Sequence, residues 1–181
     1  MVDDDDLPPE FISFFPENVL LEIGKISVTF SFLEDELNGY IGVLLGSGTQ
    51  ASQAVTFRIR NITDRIQLAQ TLVDIKIKFD DDRRREATSL LRDLAEANDR
   101  RNTLIHHGII QVTYNVDPKE HTIKFRKKDY LIRETPIETS FKAREFEELR
   151  EDLWELARRF MIATHAHRVS SAPQPAQHPQ P

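Results

Sequence analysis

Arg101, Asn102, His106 and His107 stand together in one short segment, "NDRRNTLIHHG", at residues 98–108. These residue types suit chemistry on a phosphate. An imidazole titrating near neutral pH can take up or release a proton. A guanidinium keeps its charge and presents a rigid fork of donors to a phosphate. A carboxamide can orient the imidazole or bind phosphate itself. Arg100 and Asn98 flank the group, and Glu34, in "FLEDEL", is an acid able to pair with Arg101. These three are candidate substrate-binding residues.

The segment closes a long helical pattern. At about 100° per residue, Leu90, Leu94, Ala97, Leu104 and Ile105 form its apolar stripe. Arg101 falls near the middle of that stripe and Asn98 on its edge. Burying an unpaired charge costs several kcal/mol or more. Arg101 therefore needs an acidic partner, a second subunit, or a cavity that an anion visits. Asn102 and His106 share a flank, but His106 lies about 140° round the helix from Arg101. The two converge if the last turn loosens ahead of Gly108, or if each acts from a different copy. The plainer reading is that the histidines only favour the helix dipole and that Arg101 salt-bridges to Glu34 or another acid.

The sequence shows four helical patterns, of which this segment closes the third. The first starts near Pro16, follows Leu20, Ile23, Ile26, Phe30, Leu33, Leu37, Tyr40, Ile41 and Leu44, and stops at "GSG". The second runs along Val55, Ile59, Ile62, Ile66, Ala69, Val73 and Ile77, so helices 1 and 2 are each about 28 residues. "DDD" (Asp80, Asp81, Asp82) offers an N-cap for helix 3, with Gly108 expected as its left-handed C′ residue. The apolar period then changes from about 3.6 to 2. Ile110, Val112, Tyr114 and Val116, the turn "DPKE", then Ile123 and Phe125 read as a β-hairpin. Helix 4 follows, with Ser140 as a cap and Phe146, Leu149, Leu153, Leu156, Phe160 and Ala163 as its stripe. The expected fold is mainly α: an antiparallel four-helix bundle with the hairpin inserted before the last helix.

Bulk properties narrow the function. With no cysteine there is neither a disulfide framework nor a thiolate metal site. His106, His107 and His121 have no carboxylate at ligand spacing, so no metal and no cofactor is expected. The opening "MVDDDDLPPE" has no apolar h-region, and Leu37–Phe57 is too polar to span a membrane, so a cytoplasmic protein without membrane contact is expected. Removing the five acids of the first ten residues from the net charge of −6 leaves −1. Any RNA contact is then a local basic pocket rather than a broad basic face. Lys124, Arg126, Lys127 and Lys128 make the second hairpin strand basic, either for RNA or as edge protection. Arg83, Arg84 and Arg85 read as a solvated patch compensated by the preceding aspartates.

"RNTLIH", Arg101-Asn102-x-x-x-His106, resembles the Arg-x(4–6)-His signature of the HEPN superfamily, in which a polar residue, often Asn, follows the Arg. "RNTLIHHG" looks like the form in which a helix ends at His-Gly. The resemblance covers residues 16–168. It implies a HEPN-like helical domain over 11–168, between a disordered acidic segment (1–10) and a disordered Pro/Gln-rich tail (169–181). It further implies a metal-independent endoribonuclease, a toxin or antiphage effector, acting as a homodimer with a composite site and regulated by an antitoxin protein. His106 and His107 both meet the spacing. His106 is favoured because it shares a flank with Asn102. Some members of the superfamily are not nucleases, so a non-catalytic nucleotide-, RNA- or protein-binding module and a structural helical dimer stand as alternatives.

Overall fold

Local capping starts and stops the helices. The structure, a computed structural model, describes residues 16–46, 49–78, 80–106, 108–126 and 138–171, with the side chains at 49, 51, 52, 105, 106, 108–110, 170 and 171 outside that description. The first helix, α1 (Glu17–Leu45), begins where the Pro16 carbonyl accepts from the Val19 and Leu20 amides. It ends at Gly46, whose φ of 67° is the left-handed conformation that glycine adopts without steric cost. The expected second helix is two. α2 (Thr49–Arg58) stops, and α3 (Ile62–Lys76) starts afresh with Asn61 as N-cap, its side chain accepting from the Thr63 amide. The apolar spacing runs straight through this break, so periodicity alone did not reveal it. Asp80 caps α4 (Asp81–His106), accepting from the Arg83 amide at 2.9 Å.

Three antiparallel strands precede the last helix: β1 (Gly108–Thr113), β2 (Thr122–Arg126) and β3 (Glu138–Lys142), in that order across the sheet. The hairpin is present, with a register shift between Ile109 and Gln111. The strand β3 was not expected. Ser140 pairs there with Lys124 instead of capping a helix, and Gly108 is the first residue of β1. Tyr114 and Val116, assigned to the hairpin's apolar face, lie beyond β1 and are exposed. α5 (Ala143–Ser171) follows β3 directly and continues past Val169, where the Pro/Gln-rich tail was expected to begin. Among the described residues no helix is long and apolar enough to cross a membrane.

By Cα proximity the chain forms two units. One takes residues through 31 together with 96–154. The other takes 32–95 and residues from 155 onward. In the first, Val19, Ile26 and Phe30 of α1, Ile123 and Phe125 of β2, and Phe146, Leu149 and Leu153 of α5 are buried. Phe125, Phe141 and Phe146 meet at ring-centroid distances of 5.7–6.5 Å, fixing β2 and β3 to the start of α5. In the second, Leu33, Leu37, Tyr40, Ile41 and Leu44 are buried, as are the α3 stripe and Leu90, Leu91 and Leu94 of α4. The ring of Tyr40 stands edge-on to Phe160 and to His167.

Burial pushes the Tyr40 hydroxyl up to about 12. Burial and then the Arg83 cation push His167 below its ordinary 6.5. The unfolded chain therefore takes up a proton at His167 before the folded one does. Stability is fully present above about pH 6.5 and declines as pH falls toward the lowered folded value. Thermal melts from pH 7.5 to 5.5 should show a decline that His167→Gln reduces.

Candidate functional site

The opening segment occupies the last turns of α4. Leu90 and Leu94, on its earlier turns, and Ala97 and Leu104, flanking the polar group, are buried as the stripe requires. Asn98, expected at the edge of the stripe, is 3% exposed, whereas Arg101, expected at its centre, is half-buried. Chain length explains the inversion. A short carboxamide stays where its Cβ puts it, while a long guanidinium side chain lies along apolar surface and carries its head outward.

The Arg101 guanidinium carbon sits 5.0 Å from the centroid of the Phe30 ring. Such a contact is worth about 0.5–2 kcal/mol. Nη1 donates to Asn102 Oδ1 at 3.2 Å. Nε is buried with no acceptor, and among the described residues no carboxylate pairs with the cation. Asn98 Oδ1, one turn earlier on the helix, is likewise buried without a donor. An unmet buried polar atom costs about 1–3 kcal/mol. One is a donor and the other an acceptor, so a group that both accepts and donates, a water included, would satisfy the pair.

The expected pairing of Arg101 with Glu34 is not found. Glu34 Oε2 accepts from Arg65 Nη2 at 2.5 Å, and Asn38 Oδ1 accepts from Arg65 Nη1 at 3.1 Å. Arg65 stands one residue before Ile66 on the buried face of α3, and only 9% of its side chain is exposed. The sequence reading passed over Arg65; its place beside Ile62, Ile66 and Ala69 on the helical wheel was the available signal. Arg100 is held in an exposed ion pair with Asp152 at 3.0 Å.

α4 keeps helical backbone through His106, so the last turn does not loosen between Arg101 and His106. Five residues of ideal helix put the two positions about 140° apart around the axis. The side chain of His106, and His107 altogether, lie outside the described residues. Of the other candidates, His121 Nδ1 accepts from the Asn115 amide at 3.0 Å and closes the β1–β2 turn. Among the described residues no cluster could hold a metal ion. Lys124 and Arg126 both pair with Glu138. β2 is the central strand, so Lys124 and Arg126 neither guard an edge nor form a free basic track, while Lys127 and Lys128 lie outside the described residues. Arg84 and Arg85 pair with Asp81 and Asp82, and Arg83 lies 3.8 Å from Asp80, so this patch is internally compensated.

No family model, no curated protein and no solved structure matches this chain. Any functional reading therefore stands on the residues themselves.

Two carboxylates of α1 differ in role. Burial alone would raise the Glu22 pKa, but bonds from Lys25 and Arg150 outweigh it and hold the carboxyl below its ordinary value. Glu34 compensates Arg65. Glu34→Ala should lower the unfolding free energy by about 2 kcal/mol, less than a fully buried pair because Glu34 is still 31% exposed. Replacing both partners with apolar residues should recover most of the loss, as read by denaturant melts.

Proposed function

We propose that this protein is a metal-independent endoribonuclease of HEPN type, in which Arg101, Asn102 and His106 from two copies form one composite site. The observation that carries the reading is the Arg101 cation: half-buried on Phe30, with Nε unmet and no acid paired to it among the described residues. A phosphate diester is an anion of the size and charge such a group lacks. The helical backbone through His106 supports the two-copy form, because five residues of ideal helix set the positions of Arg101 and His106 about 140° apart around the axis.

The chemistry needs no metal because the nucleophile is the substrate's own ribose hydroxyl. One His106 accepts the 2′-OH proton as the oxygen attacks phosphorus. The P–O5′ bond breaks, and the second His106 donates a proton to the departing 5′-oxygen. Arg101 carries the added negative charge on the phosphoryl oxygens. Asn102 orients the guanidinium through Nη1. The products are a 2′,3′-cyclic phosphate and a 5′-hydroxyl. The whole helical body would be the HEPN bundle, and a toxin or antiphage effector in the cytoplasm, held in check by an antitoxin protein, is the matching biological setting.

Purified protein should cleave RNA in EDTA and leave cyclic-phosphate ends detectable by mass spectrometry. His106→Ala should reduce the rate by about 10²–10⁴-fold without changing the melting temperature. Arg101→Met should abolish cleavage while leaving stability unchanged or raised, since it removes an uncompensated cation. Cleavage that persists in His106→Ala, or that depends on a divalent ion, would refute the mechanism. RNA binding sensitive to Arg101→Met, with no cleavage under any condition, would identify a non-catalytic binding module instead.

A further inference from the structure

A cavity of about 850 Å³ opens inside the second unit, between one stripe of α1 and one stripe of α2. On α1 the stripe is Asp35, Asn38 and Gly39, and on α2 it is Gln50, Gln53, Ala54 and Phe57. Both follow the three- and four-residue steps that put side chains on one helical face. Arg60, from the α2–α3 link, and Arg65, from α3, bring two cations to the lining. A Cβ placed on Gly39 would meet no atom within 4 Å, so the space over this turn of α1 is open. The helix keeps a glycine there although almost any other residue would favour helix formation.

The polar groups of the lining are of two opposite kinds. Arg65 gives Nη1 to Asn38 Oδ1 and Nη2 to Glu34, while its Nε has no acceptor among the described residues. Because the Asn38 oxygen is taken, its NH2 is the part left to donate, and among the described residues it too has no acceptor. Arg60 is exposed and meets no carboxylate among the described residues. Donors that lack an acceptor suit a group that only accepts, which is a carboxylate. Asp35 is the reverse: an exposed acceptor with no cation paired to it among the described residues, suited to an ammonium. Glu34 balances Arg65, so the open charges are one cation, Arg60, and one anion, Asp35. A neutral molecule carrying both signs matches this lining, and a dianion does not. Phe57, 86% exposed, offers an apolar surface beside them.

We propose that this cavity binds a small zwitterion with an apolar side chain, an α-amino acid or a short peptide. Its carboxylate takes Arg60 and the Asn38 NH2, its ammonium takes Asp35, and its side chain lies on Phe57. Arg65 fixes which way the Asn38 carboxamide faces. Gln50 and Gln53 each carry a donor and an acceptor, the complement of a peptide group, so the same lining serves the free acid and the peptide. The site shares no residue with the Arg101 segment, so its success or failure is independent of the ribonuclease reading.

The test is equilibrium binding of the full chain to L-phenylalanine, L-leucine, L-tryptophan and the dipeptide leucyl-phenylalanine. Phenethylamine, which lacks the carboxylate, and 3-phenylpropionate, which lacks the amine, are the single-charge controls. At least one zwitterion should bind, and each control should bind about tenfold or more weakly than L-phenylalanine. Asp35→Asn should erase the advantage over 3-phenylpropionate, and Arg60→Gln the advantage over phenethylamine. Both residues are exposed, so circular dichroism and melting temperature should not move. Gly39→Leu should fill the open space and weaken binding by at least about tenfold, with the melting temperature unchanged or raised because leucine favours the helix. Dipeptide affinity well above that of the free acids identifies a peptide as the occupant, and equal or lower affinity identifies the amino acid. The proposal is overturned if no zwitterion binds at about 5 mM, if the single-charge controls bind as tightly, or if Gly39→Leu leaves the affinity unchanged.

Discussion

A guanidinium cannot escape burial by giving up its proton, so wherever the fold brings one out of water it must be met by something. Two arginines of this protein face that constraint and meet it differently. Arg65 is nearly buried and is locked to Glu34 and Asn38. Arg101 is half-buried and is met by an aromatic face and a neutral carboxamide. Both leave a buried Nε without an acceptor among the described residues, but only Arg65 has a carboxylate to balance its charge.

Arg101 touches the packed core of the first unit through Phe30. Phe30 is 1% exposed on α1, so the ring under Arg101 is fixed by packing. The β-sheet begins at Gly108, two residues after α4 ends, and is tied to α5 by the Phe125–Phe141–Phe146 cluster. The backbone on both sides of His106 and His107 is thus anchored in regular structure. A proton-transfer group needs that kind of placement, because its efficiency depends on hydrogen-bond reach to the reacting oxygen.

The second unit carries its polar groups in another way. The expected long helix breaks at residues 59–61, and the two shorter helices bury Thr56 and Arg65 while Phe57 stays exposed. The N-cap at Asn61 stabilises the restart, typically by about 1 kcal/mol.

The residue pattern by itself determined the start and end of α1, the Asp80 cap and span of α4, the α5 stripe and the buried face of β2, because capping and amphipathic period act within a few residues. It also singled out Arg101 as a cation among apolar neighbours. Tertiary structure alone decided the rest. It paired Glu34 with Arg65 rather than Arg101, buried Asn98 more deeply than Arg101, broke the second helix, and turned a hairpin into a three-stranded sheet. The Glu34–Arg65 pair and the third strand join groups 12 to 31 residues apart, which no local pattern specifies, and the depth of Asn98 against Arg101 follows from side-chain length only once α4 is packed.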